Sequence, residues 1–194
     1  MKGKTKKSIV VLVLLMVIGF AAVTTTLTIN GVIRLGANQE NFKNNLIFTK
    51  AELTYSDTNK TVAEGEVTIS EDKKGINFNT QELKNIGENV TLTYDVTNNS
   101  QYEAEFTGIT CTVTNATKGT DVTEAVNNNT EYITLEYTNN KDEEGNNAKI
   151  SENGGVLTGE TLKVTLRKSY VGTETTTTTN YNVNCIINAS GLSE

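Results

Sequence analysis

"ENVTLTYDVTN", residues 88–98, decides how the rest of the chain is read. Val90, Leu92, Tyr94 and Val96 alternate with Thr91, Thr93, Asp95 and Thr97. Successive side chains of a strand point to opposite faces. A period of two therefore describes a half-buried β-strand, with the apolar set inward and the Thr/Asp set outward.

The same pattern recurs in both directions. Upstream, "NLIFTKAELTY" carries Leu46, Phe48, Ala51 and Leu53, "GEVTIS" carries Val67 and Ile69, and "GINFN" carries Ile76 and Phe78. Downstream, "QYEAEFTGITCTVTN" places Tyr102, Ala104 and Phe106 on one face, then Ile109, Cys111 and Val113. The phase slips by one residue at Gly108, and a β-bulge there would return the apolar set to the core. "EYITLEYT" groups Ile133, Leu135 and Tyr137, and "ETLKVTLRKSYV" groups Leu162, Val164 and Leu166. "NYNVNCIINAS" groups Tyr181, Val183, Cys185, Ile187 and Ala189.

Between these runs lie turn sequences such as "TNNSQ", "VNNNTE", "NNKDEEGNN" and "ENGG". "TETTTTTN" is low in complexity and reads as an exposed loop into the last strand, with an edge strand as the alternative. The one helical signal is "NTQELKNIG": Thr80 as N-cap, Leu83 and Ile86 on one face, Gly87 at the end. Short strands at this spacing predict an all-β domain, an antiparallel β-sandwich or jelly roll, over residues 37–194. No linker divides it.

Composition bounds the chemistry. The chain has 194 residues, 36% of them hydrophobic, with no Pro, Trp or His. Without His, a Ser-His-Asp triad, a Cys-His pair and an HExxH zinc site are excluded. No phosphate-binding glycine motif occurs, so neither enzymatic activity nor a cofactor is expected. The formal net charge is −6, and an acidic surface repels phosphate backbones, which argues against nucleic acid as a partner. Asp142, Glu143 and Glu144 cluster beside Gly145, but their spacing departs from D-x-[DN]-x-[DN]-G; a solvated acidic turn is expected rather than a metal site.

The N-terminus differs from everything after it. "MKGKTKK" is basic, and the apolar run from Ile9 to Val23 follows without a charge. Fifteen helical residues span roughly 22 Å, short of the ~30 Å hydrocarbon core. Residues 1–21 therefore read as a signal peptide, with a retained membrane anchor as the alternative. Gly19 and Ala21 form a small-x-small site, placing cleavage between Ala21 and Ala22 by an export signal peptidase. The membrane is then a partner only before processing. Behind the cleavage point, "TTTLTING" sets Thr25, Leu27 and Ile29 on one face of a strand. In an exported domain, Cys111 and Cys185 could form a disulfide or remain two buried thiols.

Three stretches resemble the TasA/camelysin family of exported fibre proteins from Gram-positive bacteria. "KKSIVVLVLLMVIGFAAVTTTLTING" resembles that family's export signals. "GANQENFKNNLIFTKAEL" is similar to its early N-x-W-x-x-x-F-x-N stretch, with Phe42 as the aromatic. "NIGENVTLTYDVTNNSQYEAEFTGI" resembles its G-D-x-x-x-F-x-V-x-V-x-N-x-G-x-x-x-A segment at Asn98 and Ala104, although "NSQ" replaces the usual glycine. The resemblance implies a secreted jelly-roll subunit that polymerises with itself into biofilm-matrix fibres. It also implies that residues 22–36 act as a donor strand completing the next subunit. The protease activity attributed to some camelysins does not carry over to a chain without His. A monomeric cell-surface adhesin is the alternative function.

Overall fold

The computed structural model describes residues 32–36, 45–64, 66–138, 141, 145–171 and 178–192, the first of these through the backbone alone. They form an all-β structure. Sheet A contains β1 (Val32–Gly36), β11 (Tyr181–Leu192), β6 (Glu103–Asn115), β7 (Thr120–Asp121) and β9 (Lys149–Ile150). Its order is β1-β11-β6, with β7 and β9 both on the far side of β6. Sheet B runs β2 (Leu46–Tyr55), β5 (Asn89–Asn98), β10 (Gly155–Leu166), β8 (Ile133–Tyr137). A small hairpin joins β3 (Val67–Ile69) to β4 (Ile76–Phe78), and a short helix, α1, spans Thr123–Asn127. All these pairings are antiparallel except β1 with β11, which is parallel.

The core lies between the two large sheets. Val90, Leu92, Tyr94 and Val96 of β5 are buried, as alternation requires, and so are Leu162, Val164 and Leu166 of β10. From sheet A come Ala104, Phe106, Val113, Tyr181, Val183, Cys185, Ile187 and Ala189. These side chains make one hydrophobic cluster. The outward set of β5 is less exposed than its polarity suggests. Thr91, Thr93 and Asp95 are half-buried, because β2 and β10 flank the strand on both sides. Thr97 is buried, its hydroxyl 2.9 Å from that of Thr49.

Three β-bulges bend the sheets. In β6 the register jumps between Phe106 and Gly108, opposite Ala189 and Asn188, and the buried set passes from even to odd positions there. Gly108 has φ 141, a conformation that a side chain at this point would strain. In β2 the jump falls at Thr49, which is why Leu46 and Phe48 share a face with Leu53 and Tyr55. In β10 it falls between Leu157 and Glu160; Gly159 takes φ 76 and donates its N–H to the Asp95 carboxylate at 2.9 Å. Both bulges in sheet B face the same level of β5.

"NTQELKNIG" is not a helix. It is an irregular segment ending in a turn, with Thr80 and Leu83 buried but Ile86 63% exposed. The backbone N–H groups of Lys84 and Asn85 donate to the Glu88 carboxylate at 2.8 and 3.0 Å. That carboxylate also pairs with the Lys60 ammonium, which in turn donates to the Glu82 carbonyl. A long-range ionic clasp thus takes up backbone donors that a helix would have left to a cap.

Candidate functional site

β6 is paired along its whole length with β11 on one side, but not on the other. There β9 pairs only with Ala104 and Glu105, and β7 only with Thr114 and Asn115. Over residues 107–112, no strand among the described residues lies against that edge. The direction of its backbone groups follows from the alternation of antiparallel pairs. Val113 turns away from β11: its N–H donates to Thr123 Oγ1 at 2.8 Å, and its carbonyl accepts the Val122 N–H at 2.8 Å. Cys111 and Ile109, two and four positions back, face the same way. Their N–H and C=O groups point to the open edge, and their side chains point inward, half-buried.

A cavity of about 150 Å³ opens beside this edge, lined in part by Tyr94, Phe106, Ile109 and Ile187, with Lys141 and Asn147 at its polar side. Thr107 and Thr138 complete the wall, and the exposed lining is more polar than apolar. Burial raises the Tyr94 hydroxyl well above its ordinary pKa, helped by the Glu160 carboxylate, so it stays protonated at the cavity wall.

The flanks of the opening are fixed. On the β9 side Asn98, fully buried, donates from Nδ2 to the carbonyls of Tyr102 at 2.8 Å and Ile150 at 3.1 Å. Its Oδ1 accepts from the Ser100 N–H at 3.0 Å and the Ser100 hydroxyl at 2.7 Å. On the β7 side Thr123 donates its N–H and hydroxyl to the Asp121 carboxylate at 2.9 and 2.7 Å, which holds α1 against β6. These bonds keep the Asp121 pKa below its usual value.

Cys111 and Cys185 face each other directly across β6 and β11 and are bonded, with Cα atoms 4.0 Å apart. They occupy a narrow, non-hydrogen-bonded pair, where side chains stand closest. The bridge therefore ties β6 to β11 immediately behind the open edge. Nothing in the spacing of the two cysteines identifies that register. It emerges only when both strands are aligned.

Ala21, Ala22, Thr25, Leu27 and Ile29 lie outside the described residues, as do Asp142, Glu143 and Glu144 and most of "TETTTTTN". The end of the segment expected to donate a strand does fall within them: Val32–Gly36 pairs in parallel with residues 184–188 of β11 in its own chain. Among the described residues, no cluster of His, Cys, Asp or Glu is arranged to hold a metal.

A second cleft, of about 200 Å³, is walled by Tyr132, Tyr170 and Tyr181. The Tyr132 and Tyr170 rings meet edge to face at 5.5 Å. Tyr181 donates its hydroxyl to Glu131 at 2.7 Å, and burial together with that bond raises its pKa strongly. Comparison with known proteins gives no match: no family model, curated protein or solved structure aligns with the chain.

Proposed function

We propose that the chain is a secreted structural subunit that polymerises into an extracellular matrix or cell-surface fibre. On this reading residues 1–21 are an export signal, cleavage falls between Ala21 and Ala22, and the sandwich is jelly-roll-like. The observation that carries the reading is the alternation of Thr25, Leu27 and Ile29 directly ahead of β1, an outer strand of sheet A. Residues 32–36 pair with β11 of their own chain, which counts against them as donor and narrows the proposed donor to residues 22–31. A strand-forming segment joined to a sheet edge suits β-strand addition to a partner, in which main-chain hydrogen bonds supply affinity and alternate side chains supply specificity. Leu27 and Ile29 would contribute roughly 1.5–3 kcal/mol each on burial. The absence of His fits a structural role rather than a catalytic one.

A monomeric surface adhesin is the second reading, favoured by the tyrosine-walled cleft at Tyr132 and Tyr170. Electron microscopy of the exported, processed protein separates the two. Filaments are expected at high concentration, and a protein lacking residues 22–30 should keep its β-structure yet stay monomeric. A processed wild-type protein that remains monomeric would leave the adhesin.

A further inference from the structure

We infer that the tyrosine-walled cleft at one end of the sandwich binds a single pyranose ring of a neutral saccharide. The inference does not rest on the fibre reading: a fibre subunit and a lone adhesin would carry the same cleft.

The cleft forms where the two sheets part. β8 begins at Ile133 and β10 ends at Leu166, its pairing partner, while β11 begins at Tyr181 on the facing sheet. Ile133, Leu166, Tyr181 and Leu83 are buried and give the cleft an apolar floor. Tyr132 and Tyr170 are half-buried, and their rings meet at 80°, which makes an aromatic corner. Tyrosine is apolar on its ring and polar at its tip, so it suits a ligand of the same kind. A pyranose lays its C–H groups against such a ring and turns its hydroxyls to the rim.

The rim decides the charge class. Glu82 and Lys84 both line the cleft, their charged groups 3.7 Å apart. An anion would meet the Glu82 carboxylate, and a cation would meet the Lys84 ammonium. A carboxylate only accepts hydrogen bonds and an ammonium only donates them, whereas a hydroxyl does both. Sugar hydroxyls can therefore use Glu82, Lys84 and the Thr178 hydroxyl together. At about 200 Å³ the cleft is smaller than the ~300–1,000 Å³ of a site for a drug-sized molecule, and it takes one ring rather than a chain.

The walls are held in place before any ligand arrives. The Tyr132 N–H and the Tyr181 hydroxyl donate to the same Glu131 oxygen, at 3.1 and 2.7 Å. The Tyr132 carbonyl accepts the Arg167 N–H at 2.7 Å. The Lys60–Glu88 clasp fixes the backbone on both sides of Leu83: Lys60 donates to the Glu82 carbonyl, and the Lys84 N–H donates to Glu88 at 2.8 Å. Groups ordered in advance lose less freedom on binding.

Saturation-transfer NMR on the exported, processed protein tests this, and it reads monomer and filament alike. The probes are glucose, galactose, mannose and N-acetylglucosamine, with choline and glucuronate as charged controls. At least one of the four neutral sugars is expected to receive saturation at its C–H protons, and to bind in the millimolar range more tightly than either control. Tyr170→Ala is expected to weaken that binding at least about tenfold, and Tyr170→Phe less than about threefold, as for an aromatic anchor. Tyr137→Ala removes a 45% exposed tyrosine that does not line the cleft, and should change nothing. Glu82→Leu and Lys84→Leu keep the rings and should each weaken binding; they serve as the test if circular dichroism shows that Tyr170→Ala has lost its β-structure. Saturation of none of the four sugars, or tighter binding of choline or glucuronate, would overturn the assignment. So would sugar binding that survives Tyr170→Ala, or that is undiminished in both rim variants. Each of these results leaves the fibre reading standing, because filaments are scored separately by microscopy.

Discussion

Asn98 uses every hydrogen-bonding position of its side chain inside the protein, two as donor and two as acceptor. Asn98→Ala would remove a donor from the Ile150 carbonyl and from the Tyr102 carbonyl, which keeps the Ser100 hydroxyl at 2.8 Å, and an acceptor from the Ser100 N–H in a buried site. A buried group that loses its partner costs about 1–3 kcal/mol, so chemical denaturation should show a loss of about 1–3 kcal/mol. Leu92, 1% exposed, is a simpler case. Leu92→Ala should cost about 2–5 kcal/mol. The half-buried Thr93 should cost under about 1 kcal/mol as Thr93→Ala, since it leaves no cavity in the core. Equal losses at the two positions would contradict the observed faces of β5. Glu88 sets an acid response. Burial works against its ionised form, but the Lys60 ammonium and the N–H groups of Asn85 and Lys84 outweigh it, and its pKa lies below the usual carboxylate value. A carboxylate with a lowered folded pKa stabilises fully above the unfolded value, near ~4.3, and that contribution fades as pH falls through the folded one. Glu88→Gln should therefore lower Tm at pH 7 and reduce the further drop between pH 5 and pH 3.

At the scale of the element, the strands were legible because their signal is local. Alternation in β5, β10 and β11 is a property of neighbouring residues, and burial follows it. The slip at Gly108 was legible for the same reason, since one extra residue in a strand is what shifts an apolar set from even to odd positions. What decides "NTQELKNIG" is not local. Its backbone donors are taken by Glu88, itself held by Lys60 from another loop, and helical spacing carries no trace of that. α1 went unread because it is a single turn with one buried side chain, Val126. The gap between β7 and β9 could not be read either. Among the described residues both stop short on the same side of β6, and both are too short to alternate. The disulfide behind that gap closes a loop across a sequence separation of 74 residues. On the chain-entropy view it stabilises by roughly 4 kcal/mol. Cys111→Ala/Cys185→Ala should lower stability by about 2–5 kcal/mol in denaturant titrations.

For the whole molecule, the two sheets have unequal histories along the chain. Sheet B draws on β2, β5, β8 and β10, which follow one another at moderate distance. Sheet A is built around β11, the last of the described strands, which lies between β1 and β6. The one parallel pair joins residues 32–36 to residues 184–188, nearly the full length of the described chain. Contacts of such separation are slow to form, because the intervening loop must close before any of them is rewarded. A ribosome delivers residues in order, so sheet A has no central strand until the other described strands have emerged. The arrangement acts as a timer: the fold cannot close until β11 arrives.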